Sequence, residues 1–76
     1  MPLPESPLGT QVRVTGIRLP APAALRLNEM GIRLGTLAHV TQVAAFGGLV
    51  VAVAGSRYAL DGGTASLIDV ELAQRA

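Results

Sequence analysis

The chain has 76 residues, of which 50% are apolar and 14% are charged, and its formal net charge is +1. A chain of this length forms one domain around one small core. It has no cysteine, which excludes disulfides and thiolate metal sites. Its six basic residues are arginines scattered along the sequence, and 3% of its residues are aromatic. Both features argue against nucleic-acid binding, which uses clustered cations and stacking rings.

Membrane insertion is also disfavoured by the sequence. The longest stretch of low charge, residues 43–55, is interrupted by glycines and is shorter than the roughly 20 apolar residues that span a bilayer. The N-terminus lacks the basic start and apolar centre of a signal peptide. We therefore predict a cytoplasmic protein that is not inserted into a membrane.

The N-terminal residues 1–8 contain three prolines, which cannot donate to a β-ladder. They predict a loosely wrapped tail, followed by a single domain over 9–76. Alternation in 11–17 then predicts a first strand, with Val12 and Val14 on its buried face.

A short helix is predicted after the first strand. Pro20 suits its start because the ring sets the backbone angle and removes an amide that would be unpaired there. Leu27 and Met30 share the apolar face, and Gly31 can end the helix in a left-handed conformation. Gly35 begins the next turn.

The middle of the chain predicts a β-hairpin. Apolar positions in 37–44 recur at a spacing of three, which leaves helix and strand open, but the glycine-rich flanks favour a strand. A bulge near His39 would restore the alternation. The pair Gly47 and Gly48 suits a tight turn into the apolar strand 49–54.

The last part of the chain predicts two more strands. Residues 57–60 form the fourth, Thr64 caps a single helical turn that runs to Leu67, and the alternation in 68–72 marks the fifth. The predicted fold class is mainly β: a small, partly open β-barrel of about five antiparallel strands with a short α-helix inserted after the first strand.

No catalytic constellation is visible in the sequence. His39 is the only imidazole and stands apart from any nucleophile that it could activate. One histidine and five scattered carboxylates match no metal-ligand spacing, although a transient ferrous or zinc site at His39 remains a minor alternative. The glycine pairs are not phosphate loops, because no long helix follows them. We therefore predict no enzymatic activity, no cofactor and no resident metal.

The strand 49–54 suggests a binding surface instead. Both of its alternating sets of positions are apolar, so the set that faces away from the core needs a cover. In one interpretation the helix provides it through Leu27 and Met30. In the other, part of this face stays open for a partner or a second copy of the chain, with Phe46 at the hairpin tip as an aromatic anchor.

The chain resembles the FeoA family through an ordered series of short motifs that covers roughly residues 8–72. The series comprises Arg26-Leu27, Met30-Gly31-Ile32, Gly35, Ala44 with Gly47-Gly48, and Arg57 before Ala59-Leu60. The resemblance implies an SH3-like barrel. It also implies an accessory role in ferrous-iron uptake beside FeoB, a membrane permease with a cytosolic GTP-binding part.

By this resemblance the chain would bind the cytosolic part of a FeoB-like permease and support its transport or assembly at the inner face of the membrane. The residues expected to bind the partner are Leu27, Met30, Phe46, Arg26 and Arg57, and the turn glycines are Gly31, Gly35, Gly47 and Gly48. A homo-oligomer of low affinity stays open. Two alternatives are a metal-responsive module like the C-terminal domain of DtxR-type repressors and a nucleic-acid-binding small barrel. The first needs a helix-turn-helix on the same chain, and none fits.

Overall fold

A computed structural model describes residues 1–73, except for the side chain of Phe46. The strands are β1 Val12–Ile17, β2 Leu37–Val43, β3 Leu49–Val53, β4 Ser56–Leu60 and β5 Ile68–Leu72. The helices are α1 Ala21–Glu29 and α2 Gly62–Ser66, and 3-10 turns occupy Leu3–Glu5 and Ala45–Gly47. The strands form one antiparallel sheet in the order β4-β3-β2-β1-β5. The predicted mainly β fold with a helix after the first strand is confirmed.

The core lies on one face of this curved sheet. Val12 and Val14 of β1 are buried as predicted, and they are joined by Ile68 and Val70 of β5. Leu72, at the end of β5, belongs to the same alternating set of positions as Ile68 and Val70 but is 41% exposed. The alternation therefore holds through the middle of the strand and fails at its end.

The two faces of β3 differ in their surroundings. Leu49, Val51 and Val53 are between 1% and 3% exposed, whereas Val50 and Ala52 on the opposite face are only half-buried. Leu27 of α1 belongs to the same core as the inward residues of β3. The interpretation that the helix covers the outward face is therefore wrong, because α1 packs on the inner side.

Strand β2 contains the expected bulge, two residues later than predicted. Val40 pairs with Val51 but Gln42 pairs with Val50, so Thr41 is the extra residue, and its hydroxyl donates to the carbonyl of Val50 at 3.3 Å. The inserted residue changes the parity of the strand.

The hairpin turn between β2 and β3 is longer than the predicted two-glycine turn. It is a 3-10 turn, closed by the amide of Ala44, which donates to the carbonyl of Gly48 at 2.7 Å. Gly48 itself has a φ of −68°, which any residue can adopt.

The N-terminal residues are packed rather than loosely wrapped. Leu3 is 2% exposed and belongs to the core, and the hydroxyl of Ser6, itself buried, donates to the carbonyl of Leu3 at 2.7 Å. The amide of Val70 donates to the carbonyl of Met1 at 2.7 Å, next to an isolated bridge between Pro2 and Asp69. The expectation of a loose tail is wrong, because Leu3 packs in the core and a hydrogen bond joins Met1 to β5. The division of the chain into residues 1–8 and 9–76 stays a prediction.

The cap of α2 is Asp61 rather than Thr64. A carboxylate oxygen of Asp61 accepts the amide of Thr64 at 2.7 Å, and the other oxygen accepts its hydroxyl at 3.1 Å. The amide is among those that a helix start leaves unpaired, so Asp61 satisfies it. These hydrogen bonds, first that from the Thr64 amide, lower the pKa of Asp61.

Candidate partner-binding surface

A row of three residues crosses the outward face of the sheet. His39 of β2 pairs with Ala52 of β3, and Ala52 pairs with Arg57 of β4. Residues paired in this way share a face, and two strand spacings separate His39 from Arg57 by roughly 10 Å between Cα atoms. Ala52 contributes only a methyl group between them. The row therefore forms a notch with two long polar side chains as walls and a small apolar floor.

The notch belongs to a shallow hollow of about 400 Å³. Its lining has a polar part formed by Gln11, His39, Thr41, Ser56 and Arg57. None of the five carboxylate side chains of the sequence contributes to the lining. The hollow thus contains the Arg57 cation and further hydrogen-bonding side chains, without an acidic side chain that would offset the charge of Arg57.

Strand β4 lies at the edge of the sheet. A two-residue turn, Ala54 with φ 51° and Gly55 with φ 82°, connects it to β3. In such a hairpin the residues that flank the turn exchange both hydrogen bonds, so the next residue directs its backbone groups outward. The N–H and C=O of Arg57 and Ala59 therefore point away from β3. Within residues 1–73, β3 is the only strand that pairs with β4.

The residues predicted to bind a partner lie in different surroundings. Arg26 is exposed on α1, and Arg57 is exposed on β4. Met30 is half-buried against the core, and Leu27 is a core residue that is 4% exposed. The backbone of Phe46 lies in the hairpin turn, but its side chain is outside the described part of the chain. The two exposed arginines lie on separate elements, α1 and β4, and Leu27 faces the core rather than solvent.

One arginine is held by a carboxylate. The guanidinium of Arg18 donates to both oxygens of Asp69, at 2.9 and 3.1 Å, and to the carbonyl of Ser66 at 3.1 Å. The hydrogen bond from Arg18 lowers the pKa of Asp69. This pair fastens the end of β1 to β5 and leaves Arg18 little freedom to bind another molecule.

Two other arginines bind the backbone of their own chain. Arg13 donates to the carbonyl of Gly35 at 3.3 Å, and Arg33 donates to that of Asn28 at 3.1 Å. Among the arginines of residues 1–73, only Arg26 and Arg57 have side chains without a hydrogen-bond partner in the chain. These two guanidinium groups are therefore the ones in the described part of the chain that are left to bind another molecule.

The predicted turn glycines divide by backbone angle. Gly31, Gly35 and Gly47 have φ values of 92°, 87° and 84°, which favour glycine, whereas Gly48 is extended. Gly31 follows Met30 at the end of α1, and its amide donates to the carbonyl of Asn28 at 3.0 Å.

The described residues offer no group of three or more histidine, aspartate or glutamate side chains that could hold a metal ion. His39 lines the hollow without a carboxylate beside it. Within residues 1–73, no helix has the length and apolarity needed to cross a bilayer. The hollow presents hydrogen-bonding side chains to a ligand.

Comparison with known proteins identifies the family. The model of the FeoA domain matches residues 1–72 of the chain. The chain belongs to the FeoA family. The match begins at residue 1, which agrees with the packing of the N-terminal residues onto the core. A comparison with curated proteins gives no significant match.

Solved FeoA structures share the fold over almost all of the chain. A crystal structure of FeoA described as an iron uptake regulatory protein is 28% identical, with a TM-score of 0.82, over 92% of this chain and 93% of that chain. Stenotrophomonas maltophilia FeoA complexed with zinc, described as a procaryotic SH3 domain protein, is 33% identical, with a TM-score of 0.78 and coverage of 93% and 89%.

A longer relative has the same fold. Iron(II) transport protein A from Clostridium thermocellum is 26% identical, with a TM-score of 0.86 over 95% of this chain. The chain spans 45% of the length of that relative. The FeoA resemblance noted in the sequence motifs is thereby confirmed, and so is the SH3-like fold that it implied.

The sequence motifs did not reveal the notch itself. Arg57 was singled out, but its neighbours across the strands depend on the register of β2, β3 and β4. A two-residue hairpin turn at Ala54-Gly55 could have predicted part of it, because that turn fixes the register that pairs Arg57 with Ala52. The two-residue period of a strand then places Ala59 on the same face as Arg57.

Proposed function

We propose that this chain is a non-enzymatic, cytoplasmic accessory protein of ferrous-iron uptake. It binds the cytosolic part of a FeoB-like permease, at the inner face of the membrane, and supports the transport or assembly of that permease. The observation that carries the proposal is the FeoA-domain match over residues 1–72. The fold-level likeness to Clostridium thermocellum iron(II) transport protein A adds support.

The surface of the chain is consistent with a binding role. Leu25 is 58% exposed and Leu34 is 67% exposed, and Arg26 lies exposed beside Leu25 on α1. Large exposed apolar side chains near an arginine are common at protein interfaces. A partner that covers them would remove apolar area from water, which is the main favourable contribution to protein association.

A direct binding measurement tests the proposal. The folded chain is titrated into the purified cytosolic region of a FeoB-like permease from the same genome, and the heat of binding is recorded. An unrelated GTP-binding domain serves as the control. We expect binding to the permease region alone. Absence of binding by the folded chain, or equal binding to the control domain, would contradict the proposal.

Uptake in cells tests the accessory role separately. Ferrous-iron accumulation is compared in cells with and without the gene for this chain, with permease levels measured in both. We expect lower uptake in its absence and restoration by the wild-type gene. Unchanged uptake at equal permease level would show that the chain does not support transport.

A further inference from the structure

The free edge of β4 and the notch beside it form one continuous surface. Arg57 contributes to both, because its backbone groups point outward along the edge while its side chain stands on the face that carries Ala52 and His39. An exposed strand edge pairs readily with another extended segment. We infer that this surface binds an extended, acidic segment of a partner protein, which adds a strand to β4 and places a carboxylate beside Arg57.

The backbone supplies the first part of the recognition. Arg57 and Ala59 each direct one donor and one acceptor away from β3, at a spacing of two residues. Neither residue forms another backbone hydrogen bond within residues 1–73. An added strand finds hydrogen-bonding groups at the spacing of its own ladder, which is how peptides extend sheets in many complexes.

The side chains supply the second part. In an added strand, the residue opposite Arg57 projects toward the same face as Arg57, within reach of the notch. Within residues 1–73, Arg57 has no acidic partner and no carboxylate lines the hollow. A glutamate or aspartate there would form a charge-assisted hydrogen bond, the stronger class of hydrogen bond. His39 closes the far side of the notch and offers a further ring nitrogen.

Charge argues against a second copy of the chain as the occupant. Residues 56–60 of β4 contain Arg57 and no carboxylate. Pairing β4 with its own copy would bring a second arginine to the same face, without a negative group to offset it. The other edge strand, β5, is already partly covered, because Val70 donates to the carbonyl of Met1. The open edge is therefore the one that carries a positive charge and selects an acidic strand.

The inference rests on the proposed function only in taking a protein as the occupant. It is tested with a synthetic peptide of alternating Glu and Thr, blocked at both ends, and a matched peptide of alternating Gln and Thr. Amide chemical shifts of the full chain are followed during titration. We expect the acidic peptide to move the signals of Arg57, Ala59 and His39. The affinity of the Gln peptide should be lower than that of the Glu peptide by a factor of roughly ten or more.

Variants of the chain separate the two parts of the recognition. Arg57→Gln should weaken binding of the acidic peptide roughly tenfold, whereas Arg33→Gln, which removes an exposed arginine that donates to the carbonyl of Asn28, should leave it unchanged. Ala59→Pro removes an outward amide without removing a bond to β3, and it should also weaken binding roughly tenfold or more. The amide spectrum of each variant shows that it is folded.

Three results would overturn the inference. They are shifts confined to other elements, equal binding of the Glu and Gln peptides, and unchanged binding by folded Arg57→Gln. The cytosolic region of the permease, titrated against the same variants, distinguishes this inference from the proposed function. If the chain binds the acidic peptide at β4 but does not bind the permease, the β4 site is supported and the proposed partner is contradicted. If wild type and Arg57→Gln bind the permease equally well, and neither binds the acidic peptide, the proposed partner is supported and the β4 site is contradicted.

Discussion

The carbonyl oxygen of Gly47 lies 2.9 Å from the position that a Cβ on Gly62 would occupy. Gly47 belongs to the turn between β2 and β3, and Gly62 is the first residue of α2, directly after the Asp61 cap. The hairpin turn thus packs against the start of a helix that is distant in sequence. A side chain at Gly62 would have to displace backbone rather than a flexible side chain.

Gly62→Ala should therefore destabilise the fold. Alanine normally stabilises a helix more than glycine does. At this position, however, its methyl group would overlap the backbone of Gly47. We therefore expect the free energy of unfolding to fall by about 1–3 kcal/mol. Gly63→Ala is the matched control, because its Cβ would meet only an oxygen of Asp61, at 3.4 Å. Urea unfolding compares the two. Equal stability of both variants would contradict a close contact between the turn and the helix.

Ala54 should be a site of easy stabilisation. Its φ of 51° is left-handed, a conformation that costs a residue with a Cβ about 1–2 kcal/mol. Asparagine followed by glycine is the preferred pair for this hairpin turn, and Gly55 is already present. We expect Ala54→Asn to raise the free energy of unfolding by about 1 kcal/mol. Ala59→Gly, in an ordinary strand conformation, should lower it. If the urea concentration at the unfolding midpoint is no higher for Ala54→Asn than for wild type, the result would argue against this turn.

Leu3 should contribute to stability although it lies near the chain start. It is 2% exposed, so Leu3→Ala removes buried methyl groups and leaves a cavity, at a cost of about 2–5 kcal/mol. Leu8, which is 59% exposed, provides the same substitution on the surface, and Leu8→Ala should change stability by less than about 0.5 kcal/mol. Thermal unfolding of both variants makes the comparison. A Leu3→Ala protein as stable as Leu8→Ala would show that the N-terminal residues do not belong to the core.

Stability should fall at acidic pH through Asp61 and Asp69. The pKa of each is lowered in the folded chain, Asp61 first by the amide of Thr64 and Asp69 first by the hydrogen bond from Arg18. A lowered pKa means that the unfolded state binds the proton more readily. Their contribution is thus complete above the unfolded pKa of about 4 and is lost as the pH falls through the folded values.

Asn substitutions test this pH dependence. Asp69→Asn, which keeps the size but not the charge of the side chain, should lower stability at neutral pH and flatten the fall in the unfolding midpoint below about pH 4. Glu71→Gln is a control of equal charge change on the same strand, without an ion pair within residues 1–73. The midpoint is measured by urea titration at a series of pH values. A profile for Asp69→Asn that parallels wild type would contradict a role for the Arg18 pair.

Local patterns were enough to predict the elements. The alternation at Val12 and Val14 predicted β1, the prolines and Gly31 bounded α1, and the glycine-rich flanks correctly favoured a strand over a helix for β2. These signals succeed because proline, glycine and a two-residue period act on the chain over a few residues only. The ordered motifs likewise sufficed for the FeoA family, since short segments hold them.

Contacts between distant segments could not be predicted in the same way. Leu3 looks like part of a proline-rich tail until β5 and α2 pack against its 3-10 turn, and Leu27 looks like a surface candidate until it is found in the core. The sequence by itself determined where strands and turns occur, because backbone preferences are local. Only the tertiary structure decided that Arg57, Ala52 and His39 stand in one row, because strand register depends on how three separate segments bury their apolar faces together.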